Sequence, residues 1–177
     1  TPVGRVVQVE IDQAELDKGH PVVDLPIRAD ADHFLESLLD LRHGDLGDWL
    51  SFCAEVRDLL PLSELTNSTH PGFQNPYEFS LALSERCEPD DIFMPCSSGG
   101  AETVQMQAFQ QKAGQIVVND KSLASMGYGL AGAIGAAIAG NGRRTILTEG
   151  DGGFSQNLQE LAIAGVRDLP IKIFLHV

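Results

Sequence analysis

Apolar and polar positions follow a regular order from Pro76 onward. Short apolar runs bounded by turn residues, which are typical of strands, alternate with longer stretches that have apolar residues at helical spacing. The pattern predicts strands at 91–95, 115–119, 143–148 and 171–177, and helices at 77–87, 102–113, 125–139 and 154–166. Strands that alternate with helices are typical of a parallel sheet. We therefore predict an α/β fold with a parallel sheet and helices on both faces.

The first part of the chain has a looser pattern. An alternating run at 6–11, an extended link at 21–26 that contains two prolines, and a helical pattern at 31–41 predict the closing strand–loop–helix unit of an α/β layer. A second helical stretch covers 49–60. Residues 63–74 are rich in Ser, Thr, Asn, Pro and Gly without apolar periodicity, which predicts a linker; the alternative is a long surface loop within one domain. The predicted segments are residues 1–42, 43–75 and 76–177.

Composition narrows the class of protein. The 177 residues are 43% hydrophobic, enough for a sizeable core, and the net charge of -13 argues against nucleic acid and anionic membranes as partners. Cys53, Cys87 and Cys96 form no CxxC pair, which argues against a disulfide framework or a zinc site and favours a reducing cytoplasm. No apolar stretch approaches the roughly 20 residues that span a bilayer. We predict a soluble, cytoplasmic protein.

Histidines and clustered carboxylates give little sign of chemistry. The histidines show no i, i+4 pair, so they do not support a histidine metal site or a histidine-based triad, and we predict that most lie on the surface. They are His20, His33, His43, His70 and His176. The acidic stretches at 30–32 and 88–91 are predicted to be solvated loops and helix caps. Strand-like runs close to both ends of the sequence predict an excerpt from a longer protein.

The loops at the carboxyl ends of the predicted strands are the places where a parallel sheet binds ligands. The sharpest is 149–154, in which Asp151 stands between glycines just after a strand and before a helix. A carboxylate there is a hard ligand for Mg²⁺ or Ca²⁺, and glycines let the backbone approach phosphate oxygens. The alternative is a glycine-rich turn in which Asp151 is the helix N-cap.

Two further glycine-containing segments are weaker signals. Residues 127–132 match G-x-G-x-x-G, but these glycines run into a small-residue helix instead of the turn after a strand, so close helix packing is the favoured interpretation. The alternative is a dinucleotide site. Residues 97–101 also lie between a strand and a helix and present small residues and free amides to an anion, or form an ordinary turn.

Taken together and in order, these segments resemble the acetolactate synthase-like branch of the thiamine diphosphate-dependent enzymes. The resemblance rests on three motifs, Met126-Gly127-Tyr128-Gly129-Leu130, Gly150-Asp151-Gly152-Gly153-Phe154 and Asn157-Leu158-Gln159-Glu160-Leu161, and on the spacing from Met126 to Asp151. Residues 6–39, with Ile11-Asp12-Gln13-Ala14-Glu15, resemble the end of the family's Rossmann-like central domain. Residues 76–177 resemble its diphosphate-binding domain, truncated on the C-terminal side.

The resemblance implies roles for individual residues. Asp151 is expected to bind the Mg²⁺ that bridges the cofactor's diphosphate, and Met126 to wedge between the two cofactor rings. The other expected cofactor-binding residues, which act mainly through their backbone, are Gly99, Gly100, Ala101, Ala124, Gly127, Gly150, Gly152 and Gly153. Gly100-Ala101 replaces a glutamine-histidine pair that is common in acetolactate synthases. Val177 stands at or just before the first of two family asparagines, of which the second is a metal ligand.

The resemblance also implies an activity. Enzymes of this family use thiamine diphosphate and Mg²⁺ to decarboxylate a 2-keto acid such as pyruvate and to transfer or release the acyl or aldehyde unit, and they are homodimers or homotetramers. The activating glutamate belongs to an N-terminal domain with no counterpart here, so no catalytic residue is assigned and the fragment alone is expected to be inactive. With a single side-chain metal ligand, we expect weak cofactor binding by the isolated fragment.

The resemblance leaves several points open. It does not decide which keto acid and acceptor react, or whether FAD is bound as in some relatives. Two other functions compete with it: an NAD(P)-binding Rossmann oxidoreductase that uses residues 127–132, and a non-catalytic relative that kept the fold and lost turnover.

Overall fold

The computed structural model describes residues 4–41, 44–97 and 99–177, which divide into two units, Thr1–Leu59 and Leu60–Val177. Each unit is described by itself. The predicted segment boundary between residues 42 and 43, the surface prediction for His43, and Ser98 of the loop at 97–101 lie outside the described residues. The predicted three-segment division stays a prediction.

The first unit is a small parallel α/β layer. Its elements are β1 (Val7–Glu10), α1 (Gln13–Asp17), β2 (Leu25–Arg28), α2 (Ala31–Leu39) and α3 (Gly47–Leu59). β1 and β2 pair in parallel, and Asp12 and Asp30 accept backbone hydrogen bonds as N-caps of α1 and α2. The predicted extended link is therefore wrong at β2. Pro26 argued against a strand, because proline has no N–H to donate to a sheet and is confined largely to edge strands.

The second unit carries the larger sheet. Its elements are α4 (Pro76–Arg86), β3 (Ile92–Pro95), α5 (Thr103–Ala108), β4 (Ile116–Val117), α6 (Tyr128–Ala139), β5 (Thr145–Gly150), α7 (Asp151–Gln156), α8 (Leu161–Val166) and β6 (Ile171–His176). Short 3-10 turns cover Leu65–Asn67, Gly99–Ala101 and Leu158–Glu160. All pairings in the sheet are parallel, in the order β4-β3-β5-β6.

Two apolar clusters cover the two faces of this sheet. On one face, Met94 of β3 and Leu147 of β5 pack with Leu130 of α6. On the other face, Phe93 of β3 packs with Leu83 of α4 and stacks on the ring of a phenylalanine that follows α5. Neighbouring residues of β3 thus point to opposite faces, as strand geometry requires. The predicted α/β fold with helices on both faces is confirmed.

Strand order also creates a crevice. β4 lies on one side of β3 and β5 lies on the other, so the chain leaves the carboxyl ends of β3 and β5 toward opposite faces of the sheet. In open parallel sheets, ligands bind at such a switch point. The loops that follow β3 and β5 are the segments where the sequence predicts an anion site and a metal site.

Several predicted helix boundaries and the predicted solvent exposure of Asp91 are wrong. α5 ends at Ala108 instead of residue 113, α6 begins at Tyr128 instead of 125, and the helix predicted at 154–166 begins at Asp151 and is interrupted by a 3-10 turn. Asp91, predicted to be solvated, is 2% exposed and pairs with the Arg144 guanidinium. None of the helices within the described residues is both long and apolar enough to cross a membrane.

Candidate functional site

A cleft of about 390 Å³ opens at the switch point. This lies within the range of roughly 300–1,000 Å³ that is usual for ligand pockets. Seven of the residues that the sequence singles out line it: Gly100, Ala124, Met126, Gly150, Asp151, Gly152 and Gly153. Ser97, from the loop predicted to face an anion, lines it as well, and so does His176, which the sequence analysis expected on the surface.

The loop after β3 is held in place by two polar side chains. Gln105 Nε2 donates a hydrogen bond to the Gly100 carbonyl at 3.3 Å, and Thr148 Oγ1 donates one to the Ala101 carbonyl at 2.7 Å. Gly100 faces the cleft, whereas the side chain of Ala101 is buried and Gly99 is exposed at a φ of +60° outside the cleft lining. The structure therefore brings only Gly100 of the predicted trio to the cleft surface.

Asp151 stands at the start of α7 on the opposite side of the cleft. β5 continues to Gly150, which is the extended N-cap, so the alternative that Asp151 is the N-cap is wrong. The side chain is exposed, and its Oδ1 accepts a hydrogen bond from the Gly152 amide at 2.7 Å. A Cβ on Gly153 would lie 2.3 Å from Ser97 Oγ, so only glycine lets the two loops approach this closely.

Beneath this loop lies Glu149, which sequence reasoning missed. Its carboxylate is 1% exposed and lies between Gly129 of α6 and Gly153 of α7. Desolvation by burial raises the pKa of Glu149, and the amides of Gly129 and Leu130 and the Ser97 hydroxyl partly offset that rise. Its Oε2 has no hydrogen-bond partner among the described residues. Glu149 thus fills the space where the carboxyl end of β5 meets the start of α6.

The turn before α6 is tied to α7. Gly127 has a φ of +89° and caps α6, and its carbonyl accepts a hydrogen bond from Asn157 Nδ2 at 2.7 Å. A Cβ at Gly127 would lie 2.9 Å from that nitrogen, and Gly127 itself does not line the cleft. Met126 is 66% exposed, and its Cε lies 3.5 Å from the position of a Cβ on Gly152. The hydrogen bond from Asn157 thus joins the first of the three motifs to the third.

The glycine run 127–132 is not a dinucleotide turn. β4 ends at Val117, well before the run, and all of the run except its capping glycine lies inside α6. A Cβ on Gly132 would lie 2.9 Å from Met94 Cε, and one on Gly129 would overlap Glu149. These close approaches confirm the packing interpretation and do not favour the oxidoreductase alternative.

The donor set of the cleft suits a metal that is completed by its ligand. Among residues 4–41, 44–97 and 99–177, no three His, Cys, Asp or Glu side chains are grouped as a metal site. Asp151 is the single carboxylate in the described lining, which contains no Lys or Arg. A hard cation such as Mg²⁺ accepts one carboxylate together with phosphate oxygens and water. The cleft therefore fits a metal–diphosphate pair better than a bare anion.

Comparisons with known proteins point to the same chemistry. Residues 98–177 match the family described as thiamine pyrophosphate enzyme, C-terminal TPP binding domain. The chain is 30% identical over 181 residues to an acetolactate synthase of Mycobacterium bovis. The aligned region covers 98% of this chain and 29% of that protein. It is 30% identical over 176 residues to the acetolactate synthase isozyme 1 large subunit of Escherichia coli, with 98% and 30% covered.

A plant relative gives the same result. Acetolactate synthase 2, chloroplastic, of Brassica napus is 29% identical over 175 residues, with 97% of this chain and 27% of that protein covered. The chain thus spans less than a third of the length of the curated relatives that it matches.

Proposed function

We infer that residues 98–177 belong to the C-terminal TPP-binding domain family of the thiamine pyrophosphate enzymes and that the whole chain is acetolactate synthase-like. On this basis, we propose that the chain supplies the diphosphate-binding side of a thiamine diphosphate- and Mg²⁺-dependent enzyme. The enzyme decarboxylates a 2-keto acid such as pyruvate and transfers or releases the acyl or aldehyde unit. The observation that carries the proposal is the convergence of Gly100, Met126 and Asp151 on one cleft at the switch point.

Asp151 is the proposed side-chain ligand of Mg²⁺. Its carboxylate is exposed to the cleft and needs no change in the fold to meet a cation. Its Oδ1 accepts a hydrogen bond from the Gly152 amide, which orients the carboxylate that would hold the metal.

The remaining proposed contacts are mostly with the backbone. Gly150, Gly152 and Gly153 would hold the metal side of the diphosphate through their backbone, and Gly99, Gly100 and Ala101 would hold its far oxygens. Because Ala101 has a buried side chain and Gly99 lies outside the cleft lining, we expect Gly100 to be the direct contact of this trio. A glycine at residue 100 also leaves the cleft open on that side.

Met126 is the proposed wedge that holds the cofactor's two rings in a bent shape. The side chain is exposed above Gly152, and the Asn157 tie fixes the turn that carries it. Ala124, with a φ of +51°, would present its backbone to the aminopyrimidine, and Gly127 shapes the turn. An apolar side chain so exposed gains by contact with an apolar ligand surface.

Thiamine diphosphate supplies the decarboxylation and carbon-transfer chemistry when it is bound. The proposed part of this chain is to bind the diphosphate, hold the metal and orient the rings, and no catalytic residue is proposed within it. We further propose a homodimer or homotetramer as the working enzyme, with the activating glutamate outside this chain. The absorbance spectrum of the purified protein decides whether FAD is bound, a point that the resemblance leaves open.

A cytoplasmic location is proposed from the cysteines. Cys87 and Cys96 are buried and unpaired, and Cys53 is exposed with a free thiol. Free thiols are typical of reducing compartments.

The test uses the complete gene product that carries this sequence. Thiamine diphosphate is titrated in saturating Mg²⁺ by calorimetry, for the wild type, for Asp151→Asn and for the matched control Asp168→Asn, which makes the same change at an exposed turn before β6. We expect Asp151→Asn to weaken binding by about tenfold or more, because a charge-assisted metal contact is lost. The control should bind like the wild type.

Two results would contradict the proposal. Equal affinities for Asp151→Asn and the control would remove Asp151 from the metal site. Tight NAD(P) binding without metal, with no binding of thiamine diphosphate, would return the cleft to the oxidoreductase class. Release of carbon dioxide from pyruvate by the same preparation tests turnover and eliminates the non-catalytic alternative.

A further inference from the structure

His176 lies where the two cofactor-facing loops meet. It is the last residue of β6 and pairs in register with Gly150 of β5, the residue before Asp151. Its side chain lines the cleft together with Gly100 and Ser97. The imidazole is therefore placed at the floor of the site, between the loop after β3 and the loop after β5.

The absence of a side chain at residue 100 makes room for this ring. A Cβ on Gly100 would lie 3.3 Å from His176 Nδ1 and 3.3 Å from Pro76 Cβ, which is tighter than ordinary van der Waals contact. A side chain at residue 100 would require the imidazole or Pro76 to shift by a few tenths of an ångström. The surface that Gly100 leaves open is thus occupied by a polar ring from another strand.

Aromatic packing fixes the direction of the ring. His176 meets the ring of Phe79 edge to face, with centroids 5.2 Å apart and planes at 86°. Phe79 is held in turn by Phe174 in a second edge contact at 5.5 Å. Edge-to-face pairs are a preferred geometry, so the imidazole is oriented before any ligand arrives. Preorganisation of this kind lowers the entropic cost of binding.

The polar atoms of this oriented ring are not used by the protein. Nε2 is buried and has no hydrogen-bond partner among the described residues. Burial also lowers the pKa of His176, so the ring is neutral at pH 7, with one nitrogen as donor and the other as acceptor. Nδ1, and not Nε2, is the ring nitrogen beside Gly100, so it is the atom that a ligand in the cleft could reach.

The charge of the cleft favours a hydrogen-bond donor at Nδ1. Its described lining holds the Asp151 carboxylate, with buried Glu149 beneath, and has no Lys or Arg to meet a diphosphate. A metal at Asp151 serves one side of such an anion. On the opposite side, beside Gly100, the described lining offers two side-chain donors, the His176 imidazole and the Ser97 hydroxyl.

We propose that His176 contacts the cofactor directly and donates a hydrogen bond from the nitrogen on the Gly100 side to a diphosphate oxygen. The inference rests on the proposed thiamine diphosphate site and adds to it a side chain that none of the three motifs contains. It predicts that His176 recognises the diphosphate and not the thiamine rings.

The test measures binding to the complete gene product, in saturating Mg²⁺, with two probes: thiamine diphosphate and inorganic pyrophosphate. His176→Leu keeps an apolar side chain against Phe79 and removes the donor. His176→Asn places an amide N–H near the position of Nδ1 and serves as the conservative variant. We expect His176→Leu to weaken both probes by about ten- to a hundredfold, as for a lost hydrogen bond to a charged group, and His176→Asn to recover part of the loss.

The melting temperature of the cofactor-free protein separates recognition from packing. Similar melting temperatures for wild type and His176→Leu, together with the loss for both probes, would support the contact. Binding by His176→Leu within twofold of the wild type would overturn it, as would equal losses in both variants accompanied by lower melting temperatures. If the wild type itself binds neither probe, the proposed function fails, and this inference fails with it.

Discussion

Replacing Gly129 with alanine tests how tightly the end of β5 is packed against the start of α6. An added Cβ would lie 2.5 Å from Cδ and Oε1 of Glu149 and 2.6 Å from Oε2. The carboxylate is 1% exposed and packs between Gly129 and Gly153, so an added methyl group must be accommodated inside the protein. Overpacking of this kind costs about 1–3 kcal/mol.

Gly135 provides the matched control within the same helix. A Cβ at Gly135 would meet nothing within 4 Å. Alanine is favoured over glycine inside a helix by roughly 1 kcal/mol. Gly135→Ala, in the interior of α6, should therefore stabilise the protein, whereas Gly129→Ala, in its first turn, should carry the packing cost of about 1–3 kcal/mol.

Hydrogen exchange of the amides of α6, measured by mass spectrometry on the complete gene product, reports local stability in a protein that need not unfold in two states. A third variant, Glu149→Ala, alone and combined with Gly129→Ala, completes a double-mutant cycle. We expect the Gly129→Ala penalty to shrink once the carboxylate is gone, with a coupling of about 0.5–3 kcal/mol. Equal protection in Gly129→Ala and Gly135→Ala, or zero coupling, would refute the reasoning.

Asp91→Ala should destabilise the protein by about 3 kcal/mol in chemical denaturation. This is the lower end for a broken buried ion pair, because Arg144 is 38% exposed and can be rehydrated. An unchanged free energy of unfolding would contradict the pairing. Burial raises the pKa of Cys87 from 9.0 to about 11 and that of Cys96 to about 12. The unfolded thiols lose protons first, so melting temperature should fall between pH 9 and about 11–12 in wild type and less in Cys→Ser variants; identical profiles would contradict this. At pH 8, iodoacetamide should label Cys53 long before these two, as peptide mapping can show.

Much of the candidate site could be predicted because its determinants are local. Asp151 and Met126 belong to short motifs, and parallel strands bring their carboxyl ends to one edge, so the sequence was enough to expect their loops near each other. The α/β fold followed from the alternation of strand and helix patterns. The cleft gathers the predicted residues for this reason, although their roles in binding stay proposals.

The features that could not be predicted depend on contacts between distant segments. Glu149 stands beside a glycine-rich segment that predicts an exposed turn, and the space that it fills depends on the absence of side chains at Gly129 and Gly153. The hydrogen bond from Asn157 to Gly127 joins positions 30 residues apart. His176 was grouped with surface histidines because nothing in its neighbourhood along the chain indicates that β6 ends beside β5. Of these three residues, only Asn157 had a signal in the sequence, because it begins the third motif.

The hydrogen bond between Asn157 and Gly127 has a consequence for protein engineering. It joins the turn that carries Met126 to the end of α7, so the segment with Met126 and the segment with Asp151 are held together. If residues 149–156 alone are transferred to another parallel sheet, the hydrogen bond between Asn157 and Gly127 is lost. To keep it, Asn157 and the turn at 124–127 must be transferred as well. The smallest portable version of this cleft is therefore a pair of segments that must be exchanged together.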